Sequence, residues 1–437
     1  MPAPATLPAS APLYLLYTSG STGTPKGVVR DVGGHAVALK HAMDSILGVK
    51  KGQVFFAASD IGWVVGHTFI VYGPLIQGCS TVLYEGKPIM PAEGAGAFWR
   101  LVEEYKINAL YTAPTAIRAI RKEDPEGKLI KKYNLKSLHD IFLAGERCDP
   151  DTAIHFTQKL GVGLRDNFWQ TETGTPITGA CVMPDGRLTL PKMGSCGPPV
   201  PGYDIRILVP PKHHKEFEES HKNPPESEFS APKEVSTKNW IEAAVGEVGS
   251  LVIKLPLPPG CFPTLWNNPA GYQKSYFERF PGYYDLTDQG LIDADGYFTV
   301  LGRSDDVLNV AGHRLSSGGM EEILAHHSKV AECAVVGVFD SLKGEKPLGF
   351  VVLKEGDVRG DVERELIAAV REKIGAVACF DRVVFVSRLP KTRSGKILRR
   401  SLRSIANGEE YAIPATIEDP ESLHEIARLL GKKASKL

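Results

Sequence analysis

Thr18-Ser19-Gly20-Ser21-Thr22-Gly23-Thr24-Pro25-Lys26-Gly27 follows directly on an apolar, β-prone run, Leu13 to Tyr17. Its glycines let the backbone turn tightly and come close to a ligand. Hydroxyl side chains and free N–H groups can then surround an anion such as a polyphosphate, and Lys26 adds a positive charge. The stretch is not a Walker P-loop, because no Gly-Lys-Ser/Thr follows a four-residue gap. The plainer reading is a Gly/Ser turn between a strand and its neighbour. The rest of the chain has to decide between the two.

A chain of 437 residues has room for two to four domains. Lys+Arg and Asp+Glu balance at 51 each, so overall charge points to neither nucleic acid nor an anionic membrane. Seven scattered cysteines without a CxxC pair form neither a disulfide framework nor a zinc site, which suits a reducing compartment. The longest apolar stretch, Ile61 to Ile76, contains Gly66, His67 and Pro74 and is too short to span a bilayer. Met1 to Pro12 is Ala/Pro-rich and uncharged, without the basic start of a secretory signal. It reads as a flexible leader carrying no targeting segment.

Residues 13 to about 190 alternate strand-like and helix-like pieces. Gln53–Ala58, Ser80–Tyr84, Ala109–Thr112 and Ser137–Ala144 read as buried strands. Phe98–Tyr105, Thr115–Lys122 and Asp151–Leu160 read as helices, and such alternation predicts a parallel sheet. Ligands of such sheets bind at the carboxyl ends of the strands. From 194 to 302 strands at Asp204–Leu208, Gly249–Ile253 and Gly296–Leu301 are separated by Gly/Pro turns, a β-rich subdomain. Within it, 210–240 is charged and Pro-broken and reads as a solvated insertion, whose His213-His214 pair simply sits in water. Residues 305–437 return to mixed α and β. Strands are expected at Val310–Leu315, Cys333–Phe339 and Leu348–Leu353, helices at Met320–His327 and Val362–Ile374, and a helical or frayed tail from Thr416.

Further stretches accumulate in order. They are Tyr111-Thr112-Ala113-Pro114-Thr115, Ala144-Gly145-Glu146 and Phe168-Trp169-Gln170-Thr171-Glu172-Thr173-Gly174. Tyr284-Asp285-Leu286-Thr287-Asp288, Gly302-Arg303-Ser304-Asp305-Asp306 and Pro390-Lys391-Thr392-Arg393-Ser394-Gly395-Lys396 follow. With these the chain resembles the AMP-forming acyl-CoA synthetases of the adenylate-forming superfamily, from about Leu13 to Arg400. Asp60-Ile61-Gly62-Trp63-Val64-Val65-Gly66-His67 and Phe168–Glu172 resemble the short-chain branch, the acetyl- and propionyl-CoA synthetases.

The resemblance implies an α/β, acetyl-CoA synthetase-like fold. A large α/β domain (13–304) carries a β-barrel subdomain, and a small mobile α+β C-terminal domain (305–437) follows. It implies two half-reactions: a carboxylate attacks Mg-ATP to give acyl-adenylate and pyrophosphate, and coenzyme A thiol then displaces AMP. Thr18, Ser19, Gly20, Ser21, Thr22, Gly23 and Lys26 would hold the β and γ phosphates. Gly145, Glu146, Arg147, Asp166, Asn167, Phe168, Trp169, Gln170 and Thr171 would line adenine and α-phosphate. Asp288 and Arg303 would meet the ribose, and Arg314 a phosphate. Glu172 would hold Mg²⁺ through a carboxylate oxygen. Lys396 is the principal catalytic candidate, with Thr18 and Arg314 beside it. A cation stabilises the charge that grows when carboxylate and phosphate join. Asp305 matches the hinge, and Ala311, Gly312 and Arg371 the coenzyme A side.

Trp169 matches the tryptophan that floors the acyl pocket in short-chain members, with Val64, Val65 and Ala144 as the wall. Acetyl-type members carry valine where Ala144 stands. The alanine leaves space for about one or two extra carbons, and one methylene is worth about 1–3 kcal/mol in such a pocket. Propionate is therefore expected ahead of acetate, with butyrate admitted. The family carries a long segment ahead of its phosphate loop, whereas here the loop begins at residue 18. The expectation is a truncated chain, in which adenylation is weak and thioester formation weaker. The alternative is a non-catalytic form that binds nucleotide without full turnover. The substrates are small molecules, with no nucleic acid or membrane partner, acting as a monomer or weak oligomer in cytosol or mitochondrial matrix.

Overall fold

A computed structural model describes residues 5–18, 25–211, 240–304, 306–311, 313–354, 360–391, 397–414 and 417–432, with the side chains of 313 and 314 excepted. Strands β1 (Pro12–Thr18) and β2 (Lys26–Asp31) pair antiparallel, and Thr18 opposite Lys26 closes the base of the Gly/Ser/Thr loop. The leader is not wholly free, contrary to the sequence reading. The backbone of Gly33 donates to Ala9 O at 2.7 Å and that of Val32 to Ala11 O at 2.9 Å, which docks residues 9–11 on the start of helix 32–41.

The main sheet holds β3 (Val54–Ala57), β4 (Ser80–Val82), β5 (Ala109–Thr112), β6 (Asp140–Leu143) and β7 (Gly163–Asp166), in the order β4-β3-β5-β6-β7. Every pairing is parallel. Helices Ala97–Tyr105, Pro114–Glu123 and Pro150–Leu160 connect the strands. Strands covered on both faces are mostly apolar, and all four residues of β5 are buried. One face packs Phe56, Leu110, Ile141 and Leu164 against Phe98, Trp99 and Phe156. The other packs Phe55, Tyr111 and Phe142 against Phe69 and Ile70. Phe69 and Ile70 lie in a π-helical segment, Gly66–Tyr72, a form of winding that clusters at functional sites.

An antiparallel sheet follows, built of β8 (Ile205–Val209), β9 (Ile241–Glu242), β10 (Gly249–Lys254), β11 (Tyr283–Ile292) and β12 (Phe298–Arg303). The third sheet contains β13 (Val307–Val310), β14 (His313–Ser316), β15 (Val330–Asp340), β16 (Gly344–Leu353) and β17 (Val383–Phe385). The single strand expected at 310–315 is in fact a tight hairpin, with Val310 opposite His313. Ala311 makes the turn at φ +50°, a left-handed conformation that an alanine rarely adopts. Helices Ser317–Ala325, Val362–Lys373, Arg399–Asn407 and Glu421–Leu429 pack on this sheet. The tail is thus helical over 421–429.

Candidate active site

The carboxyl ends of β5, β6 and β7 converge on one apolar cluster. Ala144 follows β6 and is buried with Phe69 and Tyr111, while half-buried Val65 and Trp169 pack against them. The Trp169 ring meets Phe69 edge-on, centroids 5.5 Å apart at 75°. Three of the four residues assigned to the acyl pocket therefore share a cluster. Val64 is buried too, one residue before Val65. Gly145 takes φ +100°, and nothing lies within 4 Å of where its Cβ would be, so the strand end stays open beside it. Glu146 pairs with Arg118 at 2.6 Å and Arg147 donates to Gly194 O at 3.3 Å. Asp166 accepts from the Cys148 N–H at 3.0 Å, and burial pushes its carboxyl up to about 7.

The turn 168–174 is held from several sides. Thr68, wholly buried, donates its hydroxyl to Gly174 O at 2.9 Å. Arg30 is fully buried on β2 and donates to the carbonyls of Thr171, Glu172 and Gly260. Gly174 sits at φ +75°, and a Cβ there would lie 2.6 Å from Arg30 Nη1. The sequence reading missed Arg30. A strand ending Val28-Val29-Arg30-Asp31 gives no sign that the arginine points inward.

Glu172 is anchored by a second residue outside every motif. Tyr276, at the end of helix Pro269–Tyr276, donates its hydroxyl to Glu172 Oε1 at 2.8 Å. Lys26 Nζ lies 4.8 Å from the centre of the Tyr276 ring and 3.2 Å from Ser275 Oγ. Burial lowers the Lys26 pKa, which the Glu172 charge partly restores. A cation and a carboxylate thus stand together where the β1–β2 loop begins.

Gln170 links the turn to β11. Its Nε2 donates to Leu286 O and to Asp288 Oδ2, each at 2.5 Å. Asp288 is buried and pairs across the sheet with Arg303, whose Nη1 lies 3.9 Å from Asp288 Oδ2. Burial pushes the Asp288 carboxyl up to about 7, against the pull of Arg303 and Gln170. Thr287 before it takes φ +58°, its N–H held by Asp285 Oδ1 at 2.7 Å.

Several sequence candidates lie outside the described residues: Ser19, Gly20, Ser21, Thr22, Gly23, Asp305, Gly312 and Lys396, the side chain of Arg314, and the His213-His214 pair. Their flanks are described. The stretch 392–396 is bracketed by a bridge between Lys391 and Ile397. An ion pair from Lys391 to Glu332 at 2.5 Å and another from Arg399 to Glu321 at 2.5 Å clasp that bracket. Arg371 is exposed near the end of helix Val362–Lys373.

An apolar cluster, a carboxylate and an ammonium that both contact Tyr276, and a buried aspartate facing an arginine therefore lie about one strand-end region. The model of the AMP-binding enzymes matches residues 1–219, and that of the AMP-binding enzyme C-terminal domain residues 319–396. The chain belongs to the AMP-binding enzyme family. It is 47% identical over 422 residues to human acyl-CoA synthetase short-chain family member 3, mitochondrial, covering 96% of this chain and 57% of that one. It is 43% identical over 423 residues to the propionate–CoA ligase of Salmonella typhimurium, covering 95% and 62%. An acetoacetyl-CoA synthetase from Streptomyces lividans superposes with a TM-score of 0.80 over 97% of this chain and 60% of that one, at 24% identity, a likeness of fold. The chain thus spans less than two thirds of the length of these relatives.

Proposed function

We propose that the protein activates a short-chain carboxylate, propionate ahead of acetate, by adenylation with ATP and passes the acyl group to coenzyme A. The observation that carries this is Trp169. Its indole packs against the apolar cluster that holds Ala144, three residues before Glu172, which Tyr276 anchors beside Lys26. Asp288 would accept from the ribose hydroxyls, since a carboxylate can take both donors of a diol. Glu172 fits Mg²⁺: one oxygen is set by Tyr276, and among the described residues the other takes no hydrogen bond. Mg²⁺ is ordinarily held by one or two carboxylates together with substrate phosphates. Lys396 would approach from the clasp at Lys391 and Ile397 and balance the charge of the carboxylate as it meets the α-phosphate. Ala311, Gly312 and Arg371 are assigned to the coenzyme A side, and Asp305 to the hinge that turns one face of the small domain for the other.

No helix among the described residues is long and apolar enough to cross a membrane. The mitochondrial names of several relatives support placement in the matrix, with the cytosol as the alternative.

Incubating the protein with ATP, Mg²⁺, coenzyme A and each of acetate, propionate and butyrate tests the reading. Mass spectrometry should find propionyl-CoA and AMP. Ala144→Val should lower the propionate-to-acetate ratio of kcat/KM by about tenfold, the worth of one methylene in a closed pocket. An unchanged ratio in a folded variant would remove Ala144 from the pocket.

A further inference from the structure

We propose that Tyr111, a residue of the central strand β5, sets the acyl-chain limit by fixing the indole of Trp169; this rests on the acyl-activation reading. Trp169 Nε1 donates to the Tyr111 hydroxyl at 2.8 Å, and that hydroxyl donates onward to Asn167 Oδ1 at 2.6 Å. One hydroxyl thus accepts from the indole and gives its only proton to the amide, so its rotation is fixed. Tyr111 is 1% exposed and Asn167 3% exposed, so the onward bond is closed to water and the oxygen that accepts from the half-buried indole is itself buried. In such surroundings each hydrogen bond is stronger and each loss costs more.

The anchor itself cannot shift. Tyr111 sits between Ala57 of β3 and Phe142 of β6 in register, with its ring tilted 4.8 Å from Phe69 and stacked 6.4 Å from Phe142. The indole is only half buried, and the aromatic rings it meets among the described residues are the Phe69 edge and the Tyr111 ring itself, 6.5 Å away at 84°. Its only polar tie among the described residues is thus to a wholly buried strand at the centre of the sheet, and the two ring contacts leave its tilt to that hydrogen bond. Removing that bond leaves a half-buried N–H to seek water, which turns the ring and opens the cavity floor. Tyr111 is a positioning residue here: it touches Trp169, and Trp169 meets the acyl chain.

Tyr111→Phe keeps the ring packing and deletes only the hydroxyl. The readout is acid-dependent ATP–pyrophosphate exchange with acids of two to six carbons. The kcat/KM ratio of propionate to hexanoate should fall by about tenfold, with the KM for ATP unchanged. In parallel, the Trp169 indole N–H, assigned by its loss in Trp169→Phe, should exchange with solvent faster in the variant. Asn167→Ala, which frees the tyrosine hydroxyl to rotate, should move the ladder the same way by a smaller factor. It serves as the test if Tyr111→Phe does not fold. An unchanged ladder in a folded variant overturns the proposal. Absence of acid-dependent exchange in the unmodified protein instead overturns the reading of the activity itself.

Discussion

Arg30 is a guanidinium with no solvent exposure that donates to three backbone carbonyls. Replacing it with methionine leaves the carbonyls of Thr171 and Gly260 buried without their donor, at about 1–3 kcal/mol each. Arg30→Met should lower the denaturant midpoint accordingly and lose nucleotide binding with it, because the turn carrying Glu172 is released. Tyr276→Phe is milder. It removes one hydrogen bond to Glu172 Oε1 and should raise the Mg²⁺ concentration for half-maximal activity about tenfold, the usual scale for a residue supporting a metal ligand. A magnesium titration in which the two proteins coincide would separate Tyr276 from the metal.

Asp288 gives the pH dependence its sign. Its folded pKa of about 7 lies above the ordinary carboxylate value, so the native state retains a proton that the unfolded chain has lost between about pH 4 and 7. Stability from this group falls as pH rises through that window. On the proposed reading ribose recognition would run the other way, since the carboxylate is the better acceptor. AMP affinity should rise as pH is taken from 6 to 8, and Asp288→Asn should flatten that rise. Calorimetric titration at several pH values checks both.

At the level of elements, the turn 168–174 depends on Gly174 as much as on its motif residues. Gly174→Ala places a methyl 2.6 Å from Arg30 Nη1 at a positive φ, and should be destabilising by about 1–3 kcal/mol as read by thermal melting. Four of the five strands of the main sheet were legible, because β3, β5 and β6 are short apolar runs bounded by turn residues, whereas β7, Gly163-Leu164-Arg165-Asp166, carries too much charge to read as a buried strand. The hairpin β13–β14 was not, because Ala311 takes the left-handed turn and an alanine gives no sign of a bend. Docking of residues 9–11 was hidden for a related reason: an Ala/Pro segment gains its partners from Gly33, a contact with no pattern in the sequence. The site divides the same way. Glu172, Trp169 and Asp288 stand in ordered motifs. Tyr111 heads a motif of its own, but its bond to Trp169, like the bonds of Arg30 and Tyr276, reaches chain 58 to 230 residues away, which no local spacing encodes.

For the whole molecule, the site is assembled from the β1–β2 hairpin, the strand ends of the parallel sheet and the β11–β12 pair. The described ends of the C-terminal lysine loop are clasped to the third sheet rather than to these elements. On the proposed reading the large portion would bind nucleotide and acid, and the smaller one would bring the lysine. His326 Nε2 and Asp151 Oδ2, 3.6 Å apart, are one point where the two portions meet. Lys396→Ala should abolish adenylation while leaving AMP binding intact, as followed by melting temperature with and without AMP. Loss of both together would place the lysine in the binding site instead of the reaction.

The claim that a tryptophan-floored cavity selects the acid handed to ATP is tested most directly by ATP–pyrophosphate exchange without coenzyme A. Acids of two to eight carbons are compared in the unmodified protein and in Trp169→Ala. The account predicts exchange that peaks at propionate, is negligible with octanoate, and shifts to longer acids when the indole is removed. Exchange that ignores chain length in the unmodified protein, or a ladder that Trp169→Ala leaves in place, would contradict it.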